Sequence, residues 1–342
     1  MRRDTALESA ATGAPIEQLA TSESLARQLR YAIKAMRPRQ WSKNALVLVA
    51  IVFAHKALQP RPLARGLLAF AAFCLTASMI YIINDLADRE RDRQHPVKRE
   101  RPLASGRLSV PVAIGTAAVC GLGAAALVAL MATWALAGVP DPFLALGGSP
   151  LLFAGTLGSY AAFNIAYSLW LKHQVLWDVF VIAAGFVLRA LAGAFAAPVP
   201  ISTWFYLCAT FLALFLALGK RRSELVRAQG AAARQRASLG AYTVQLLDQL
   251  LVVVVACALM TYSLYTFQDD NASHGMILTI PFVIFGVFRY LYLMYAHGEG
   301  ERPDELLWRD RQVLGAVVCC VLLVVVVLYG VPALTGHALA AR

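Results

Sequence analysis

The stretch Tyr81-Ile-Ile-Asn84-Asp85-Leu-Ala-Asp88-Arg-Glu-Arg-Asp92-Arg-Gln-His-Pro-Val-Lys98-Arg99-Glu-Arg101 follows directly on the apolar run 67–80. Asn84, Asp85, Asp88 and Asp92 fall at i, i+1, i+4 and i+8, so a continuous helix would carry them on one broad face. A row of carboxylates at the end of a membrane span is costly unless it meets something cationic. Hard oxygen ligands of this kind suit Mg²⁺, which typically bridges protein carboxylates to a substrate's phosphates. The dense Lys/Arg run that follows can hold phosphate charge left uncovered by a metal. The plain alternative is a charged loop that is merely solvated.

Composition sets the setting for that motif. The chain has 342 residues, 59 % hydrophobic and 15 % charged, which excludes an ordinary soluble globule and implies a polytopic, all-α membrane protein. The net charge of +11 implies no nucleic-acid partner, because in a membrane protein the location of charge matters more than its sum. The six cysteines all fall in apolar stretches without CxxC or His-paired spacing and read as small core residues. Residues 1–30 read as a disordered cytoplasmic tail with no apolar leader, and 31–336 as one transmembrane domain. At their junction, Leu25 to Met36 is amphipathic, with Arg27, Arg30 and Lys34 suited to the anionic inner leaflet.

Nine apolar stretches are long enough to cross a bilayer: 43–60, 67–86, 111–136, 149–169, 177–196, 202–220, 245–267, 274–296 and 312–334. With the N-terminus inside, 25 of the 31 Lys/Arg residues fall on the cytoplasmic side. The positive-inside rule then predicts an inner-membrane protein with its N-terminus in, its C-terminus out and its chemistry at the cytoplasmic face. Outer loops such as 137–148 and 268–275 lack basic residues and read as connective.

Other polar residues stand out against the apolar background. Lys172 and His173 close the fourth stretch, and Asp178 opens the fifth, where a favourable helix-dipole role is enough to explain it. Arg189 is harder to dismiss, because an arginine deep in an apolar helix must pair with an anion or line a watery cavity. Arg289 is similar but nearer the inner end, and Lys220, Arg221 and Arg222 serve equally well as topology anchors. Tyr81 shares the face of Asn84 and can hydrogen-bond a phosphate or sugar, and Lys43 at the start of the first stretch can reach the same pocket. Either is also an ordinary interfacial anchor.

Together these residues resemble the UbiA superfamily of intramembrane transferases. The similarity rests on Asn84-Asp-x-x-Asp88-x-x-x-Asp92 closing span two, Tyr-Ser-x-x-Leu-Lys172 before span five, and the nine-stretch count. It implies a nine-helix bundle around a central cavity open to the cytoplasm, with Mg²⁺ held by Asn84, Asp85, Asp88 and Asp92. Prenyl-transferring members usually carry a second DxxxD motif after span four. Here that place reads Gln174-Val-Leu-Trp-Asp178, with one carboxylate instead of two. The strings Arg37-Pro-Arg-Gln-Trp-Ser-Lys43-Asn44, Asp92-Arg-x-His-Pro-x-Lys98-Arg99 and Gly185-Phe-x-Leu-Arg189 are closer to the decaprenyl-phosphate phosphoribosyltransferase subgroup.

That resemblance implies phosphoribosyl diphosphate as donor and a polyprenyl phosphate as acceptor. It makes Asp85 and Asp88 the carboxylates on which catalysis depends, and Lys43, Tyr81, Lys98, Arg99, Lys172, His173, Asp178 and Arg189 the substrate contacts. A lipid phosphate is already anionic at neutral pH, so no strong general base is needed. The product would serve cell-envelope precursors, with chain length and homo-oligomerisation left open. A prenyltransferase joining an isoprenyl diphosphate to an aromatic acceptor is the alternative within enzymes. A transporter is disfavoured, because no pair of broken half-helices recurs in two halves.

Overall fold

The structure, a computed structural model, describes residues 14–136, 150–197, 199–200, 202–228, 237–268, 275–301 and 303–330, with side chains only for part of these. The start of the tail, the outer loop 137–148, most of the loop 268–275 and the C-terminal end lie outside the described residues. Among the described residues helix is the only regular secondary structure. In order, the α-helices are α1 (Ala14–Ala35), α2 (Leu46–Phe53), α3 (Pro60–Ala87), α4 (Arg89–Gln94), α5 (Val110–Leu136) and α6 (Pro150–Leu169). They continue with α7 (Trp177–Ala196), α8 (Thr203–Arg227), α9 (Ala237–Gly240), α10 (Val244–Gln268), α11 (Ile280–Ala296), α12 (Pro303–Arg309) and α13 (Arg311–Val325).

Seven described helices are long and apolar enough to span a bilayer, against the nine apolar stretches of the sequence. Two stretches account for the difference. The first, 43–60, divides into a 3₁₀ helix (Pro38–Ala45), the eight-residue α2 and a turn at His55, whose φ of 58° ends the helix. Eight residues rise only about 12 Å, well short of a hydrocarbon core. The other, α6, has the length, but Thr156, Ser159, Tyr160, Asn164, Tyr167 and Ser168 make it less apolar. In addition, α1 begins at Ala14, within the residues read as tail, and runs as one helix through the amphipathic segment.

The chain divides into two compact units. One takes the chain up to Ser42 and Cys74–Ala126, and the other takes Lys43–Phe73 and everything from Leu127 onward. In the first, Ala32 and Ala35 of α1 pack with Ile82, Leu103, Leu108, Ala113 and Ala117. Gln28 clasps the turn before α5 through both ends of its amide, giving to the Arg107 carbonyl (3.1 Å) and accepting from the Ser109 amide (3.0 Å). The second unit is built on α7, α8, α10 and α11, whose inward faces (Val179, Ala183, Leu214, Leu218, Leu251, Met294) form the main core. Here α2 lies against α7 with Ile51, Ala194 and Ala197 between them. Their approach is close because Gly193 has no side chain, and a Cβ there would stand 1.8 Å from the Val47 carbonyl oxygen.

Candidate active site

The acidic row belongs to the first unit. Helix α3 stops before Asp88, whose backbone (φ −90°, ψ 5°) leaves the helical region, and α4 restarts at Arg89. The i→i−4 hydrogen bonds nonetheless run on through Asp88, its amide donating to the Asn84 carbonyl (2.9 Å) and the Asp92 amide to the Asp88 carbonyl (2.8 Å), and Asp85 and Asp92, two turns apart, share a partner. Both are buried, at 3 % and 1 % exposure. Arg101 Nη1 donates to Asp85 Oδ1 (3.0 Å) and Asp92 Oδ2 (2.7 Å), and Arg37 Nη2 donates to Asp85 Oδ1 (2.6 Å). Lys98 Nζ stands 3.9 Å from Asp92 Oδ1, and that buried oxygen has no hydrogen-bond donor. Arg37 also lies over the Tyr81 ring at 4.7 Å, while Tyr81 donates its hydroxyl to Gln40 Oε1 (3.2 Å).

Asn84 and Asp88 are half-buried and make no side-chain hydrogen bond or ion pair among the described residues, and the exposed Arg99 makes none either. No group of three or more His, Cys, Asp or Glu side chains clusters closely enough to cage a metal among the described residues. Two carboxylates do suffice for Mg²⁺, which normally completes its octahedron with waters and substrate phosphate. Asp85 and Asp92, with the orphaned Asp92 Oδ1, are a donor set of that kind.

The second unit holds Lys43, Lys172, His173, Asp178 and Arg189. Arg189 is 7 % exposed, and its partners are all neutral. Nε donates to Asn44 Oδ1 (2.8 Å), Nη1 to the Gly185 carbonyl (2.7 Å) and Nη2 to the Tyr160 hydroxyl (2.8 Å). Tyr160 and Phe186 also present ring faces to the guanidinium, at 4.7 and 5.4 Å. Among the described residues no carboxylate reaches Arg189, so its charge is solvated by dipoles and available to an anion.

Asp178 has the opposite environment. It is fully buried against Arg221, itself fully buried on α8, with Arg221 Nε 2.8 Å from Asp178 Oδ2. Tyr242 donates to Asp178 Oδ1 (2.7 Å), and Ser238 Oγ stands 3.2 Å from Oδ2. Arg221 reaches Tyr167 Oη through Nη2 (3.0 Å) and pairs with Glu224 through Nη1. Burial first, then the hydrogen bond to Asp178, pushes the Tyr242 phenol above its ordinary pKa, so it stays a neutral donor. Asp178, expected to touch substrate, is fully buried and pairs with Arg221 in this structure. Lys172 and His173 lie on the segment between α6 and α7, and their side chains have no polar partner among the described residues.

The profile of the UbiA prenyltransferase family matches residues 45–306. The chain belongs to this family. Among its relatives, the decaprenyl-phosphate phosphoribosyltransferase of Corynebacterium glutamicum is 37 % identical, the alignment covering 86 % of this chain and 87 % of that protein. The Mycolicibacterium smegmatis protein of the same name is 36 % identical over 82 % and 86 %. In fold, this UbiA-family chain is similar to the structure of a UbiA homolog from Archaeoglobus fulgidus bound to GPP and Mg²⁺. The TM-score is 0.62 at 17 % identity, over 86 % of this chain and 96 % of that one.

Sequence reasoning gave no role to Arg37, Arg101, Asn44, Tyr160 and Tyr242, and read Arg221 as a topology anchor. Arg37, Asn44 and Arg101 sit inside strings already notable for their charge, so a signal existed for them. For Arg221 there was none, because at the end of a span one basic residue of a Lys-Arg-Arg run looks like the next.

Proposed function

We propose that the chain transfers 5-phosphoribose from phosphoribosyl diphosphate to a polyprenyl phosphate, releasing diphosphate, at the cytoplasmic face of the membrane. The observation that carries this reading is Asp178. At the position where a prenyl-transferring site wants the second of two carboxylates, this chain has a single one, spent on Arg221 and Tyr242. Fewer carboxylates beside many cations suit substrates that bring phosphate beyond the diphosphate, here the donor's 5-phosphate and the acceptor's own phosphate. The names of the two relatives above point the same way.

Asp85 and Asp92, with Asn84 and Asp88 at the rim, would hold Mg²⁺. Bound there, the ion would neutralise the donor's diphosphate and improve it as a leaving group. The remaining work falls to the chain's own cations. Arg37, Lys98 and Arg101, already gathered on the carboxylates, hold negative charge at the same spot. Lys43, Arg99, Lys172, His173 and Arg189 supply further phosphate contacts, and Tyr81 a hydroxyl for phosphate or ribose. The C1–O bond to diphosphate breaks with its electron pair leaving on the diphosphate. A lipid phosphate oxygen then forms the new C1–O bond through an oxocarbenium-like state. The nucleophile is already anionic, so positioning and charge balance are what the protein contributes.

The test offers purified protein both phosphoribosyl diphosphate and an isoprenyl diphosphate, each with its acceptor, and reads the lipid product by mass spectrometry. A phosphoribosylated lipid phosphate is expected, absent in Asp85→Asn and Asp88→Asn and reduced in Arg189→Met. A prenylated aromatic product would overturn the assignment, and full activity in both aspartate variants would remove the acidic row from the chemistry.

A further inference from the structure

The ten residues between Tyr167 and Asp178 form a loop whose two ends meet on a single guanidinium. Arg221 takes Tyr167 Oη at one end and Asp178 at the other. The interior of the loop is tied from a different part of the chain. Ser238 Oγ donates to the Lys172 carbonyl (2.8 Å), and the Leu176 amide donates to Tyr242 Oη (2.7 Å). Leu176 needs that tie, since its φ of 67° lies in a region where a leucine is strained. Tyr242 in turn donates to Asp178 Oδ1, and Ser238, whose one hydroxyl proton goes to the nearer Lys172 carbonyl, stands 3.2 Å from Asp178 Oδ2. Beside the local backbone hydrogen bonds of its own 3₁₀ turn, the segment around Lys172 is thus tied to the rest of the chain by side chains that gather on the buried Arg221–Asp178 pair. Burying such a pair is costly and rarely stabilises more than well-packed apolar residues would. A loop that has to be set in one conformation gives it a purpose.

We propose that Arg221, Asp178, Ser238 and Tyr242 are positioning residues. They preset the segment between α6 and α7 so that the Lys172 ammonium, with no side-chain partner among the described residues, meets a phosphate of the soluble donor. This rests on the reaction assigned above. None of the four needs to touch substrate. Their shared output is the backbone conformation from Lys172 to Leu176, and Tyr242 is its most direct handle, because its hydroxyl both accepts from Leu176 and donates to Asp178.

The experiment uses the full-length protein in lipid nanodiscs. Hydrogen exchange at the Leu176 amide and tryptic cleavage after Lys172 are compared in wild type and Tyr242→Phe. Both should quicken by about tenfold, the scale of one lost buried hydrogen bond. Unchanged exchange and cleavage would overturn the proposal. Kinetics form the second arm, with Tyr242→Phe, Lys172→Ala and the double variant. Tyr242→Phe should raise KM for phosphoribosyl diphosphate about tenfold while kcat stays within about threefold. In the Lys172→Ala background the same change should add nothing, because the group it positions is gone. Losses that multiply would mean that Tyr242 acts on general stability, and would also overturn the proposal. A wild-type protein inactive with phosphoribosyl diphosphate would sink the assigned reaction and leave the exchange and cleavage results to decide the loop restraint alone.

Discussion

Replacing Gly193 with alanine should damage both the fold and the Arg189 environment. The added Cβ would lie 1.8 Å from the Val47 carbonyl oxygen, 2.8 Å from its carbon and 3.2 Å from its Cα. All three are backbone atoms, so no rotamer change relieves the clash, and α2 has to retreat by about 1.6 Å to restore a 3.4 Å contact. Overpacking of this kind costs about 3 kcal/mol, the upper end of its usual range. The displacement also carries the end of the preceding 3₁₀ helix, and with it Asn44. A shift of that size takes the 2.8 Å Asn44–Arg189 bond past hydrogen-bond reach, leaving Nε of a buried guanidinium unpaired. At about 2–4 °C per kcal/mol, the thermal midpoint should fall by roughly 10 °C. Tryptophan-fluorescence melting in detergent measures this directly, and transferase activity should fall with it. Gly155→Ala and Gly158→Ala are the controls, since an added Cβ meets nothing within 4 Å at either position. There the helix-propensity gain of about 0.5–1 kcal/mol should hold or slightly raise the midpoint. A Gly193→Ala protein that melts within 2 °C of these controls, using about 1 kcal/mol as the limit, would refute the close approach of α2 and α7.

Two further outcomes follow from buried and capping charges. Arg221→Met should cost about 3–5 kcal/mol, because it strands the buried Asp178 carboxylate, whereas Arg221→Met combined with Asp178→Leu should recover most of the loss; thermal melting of the three variants checks this, and additive losses would contradict the pairing. Asp310 caps α13 by accepting from the Gln312 and Val313 amides, and the hydrogen bond from Arg289, with those amides, holds its carboxyl below the ordinary aspartate range. Its folded pKa is depressed, so its contribution is complete above the unfolded carboxylate pKa and is lost as pH falls through the folded value. Melting midpoints followed from about pH 6 to pH 2 should drop in wild type, and less steeply in Asp310→Asn, across that acid window.

Much of this protein is readable along the chain. Hydropathy marks the spans because burial in lipid imposes an apolar run some twenty residues long, a local property of sequence. The acidic row and the basic strings around it are equally local, and they suffice to point to the UbiA family. The two stretches that departed from expectation did so for local reasons as well. The first is apolar enough, but the chain winds as 3₁₀ helix before it and turns at His55 after it. The other is long enough, but it carries the polar residues that Arg189 and Arg221 use, Tyr160 and Tyr167.

What the sequence alone determined was thus the kind of protein, the helical segments and the acidic motif. Only the tertiary structure decided which charges are committed and which are free. Arg37 and Asp85 are 48 positions apart, Arg221 and Tyr167 54, and Arg189 and Asn44 145. No periodicity reports on contacts at such separations. Asp178 and Asp85 look alike as letters beside a span. One is buried against an arginine with a tyrosine hydroxyl on it, while the other gathers Arg37 and Arg101 from outside its own helix. That difference comes from packing helices distant in sequence, which sets the local dielectric and the partners of each carboxylate.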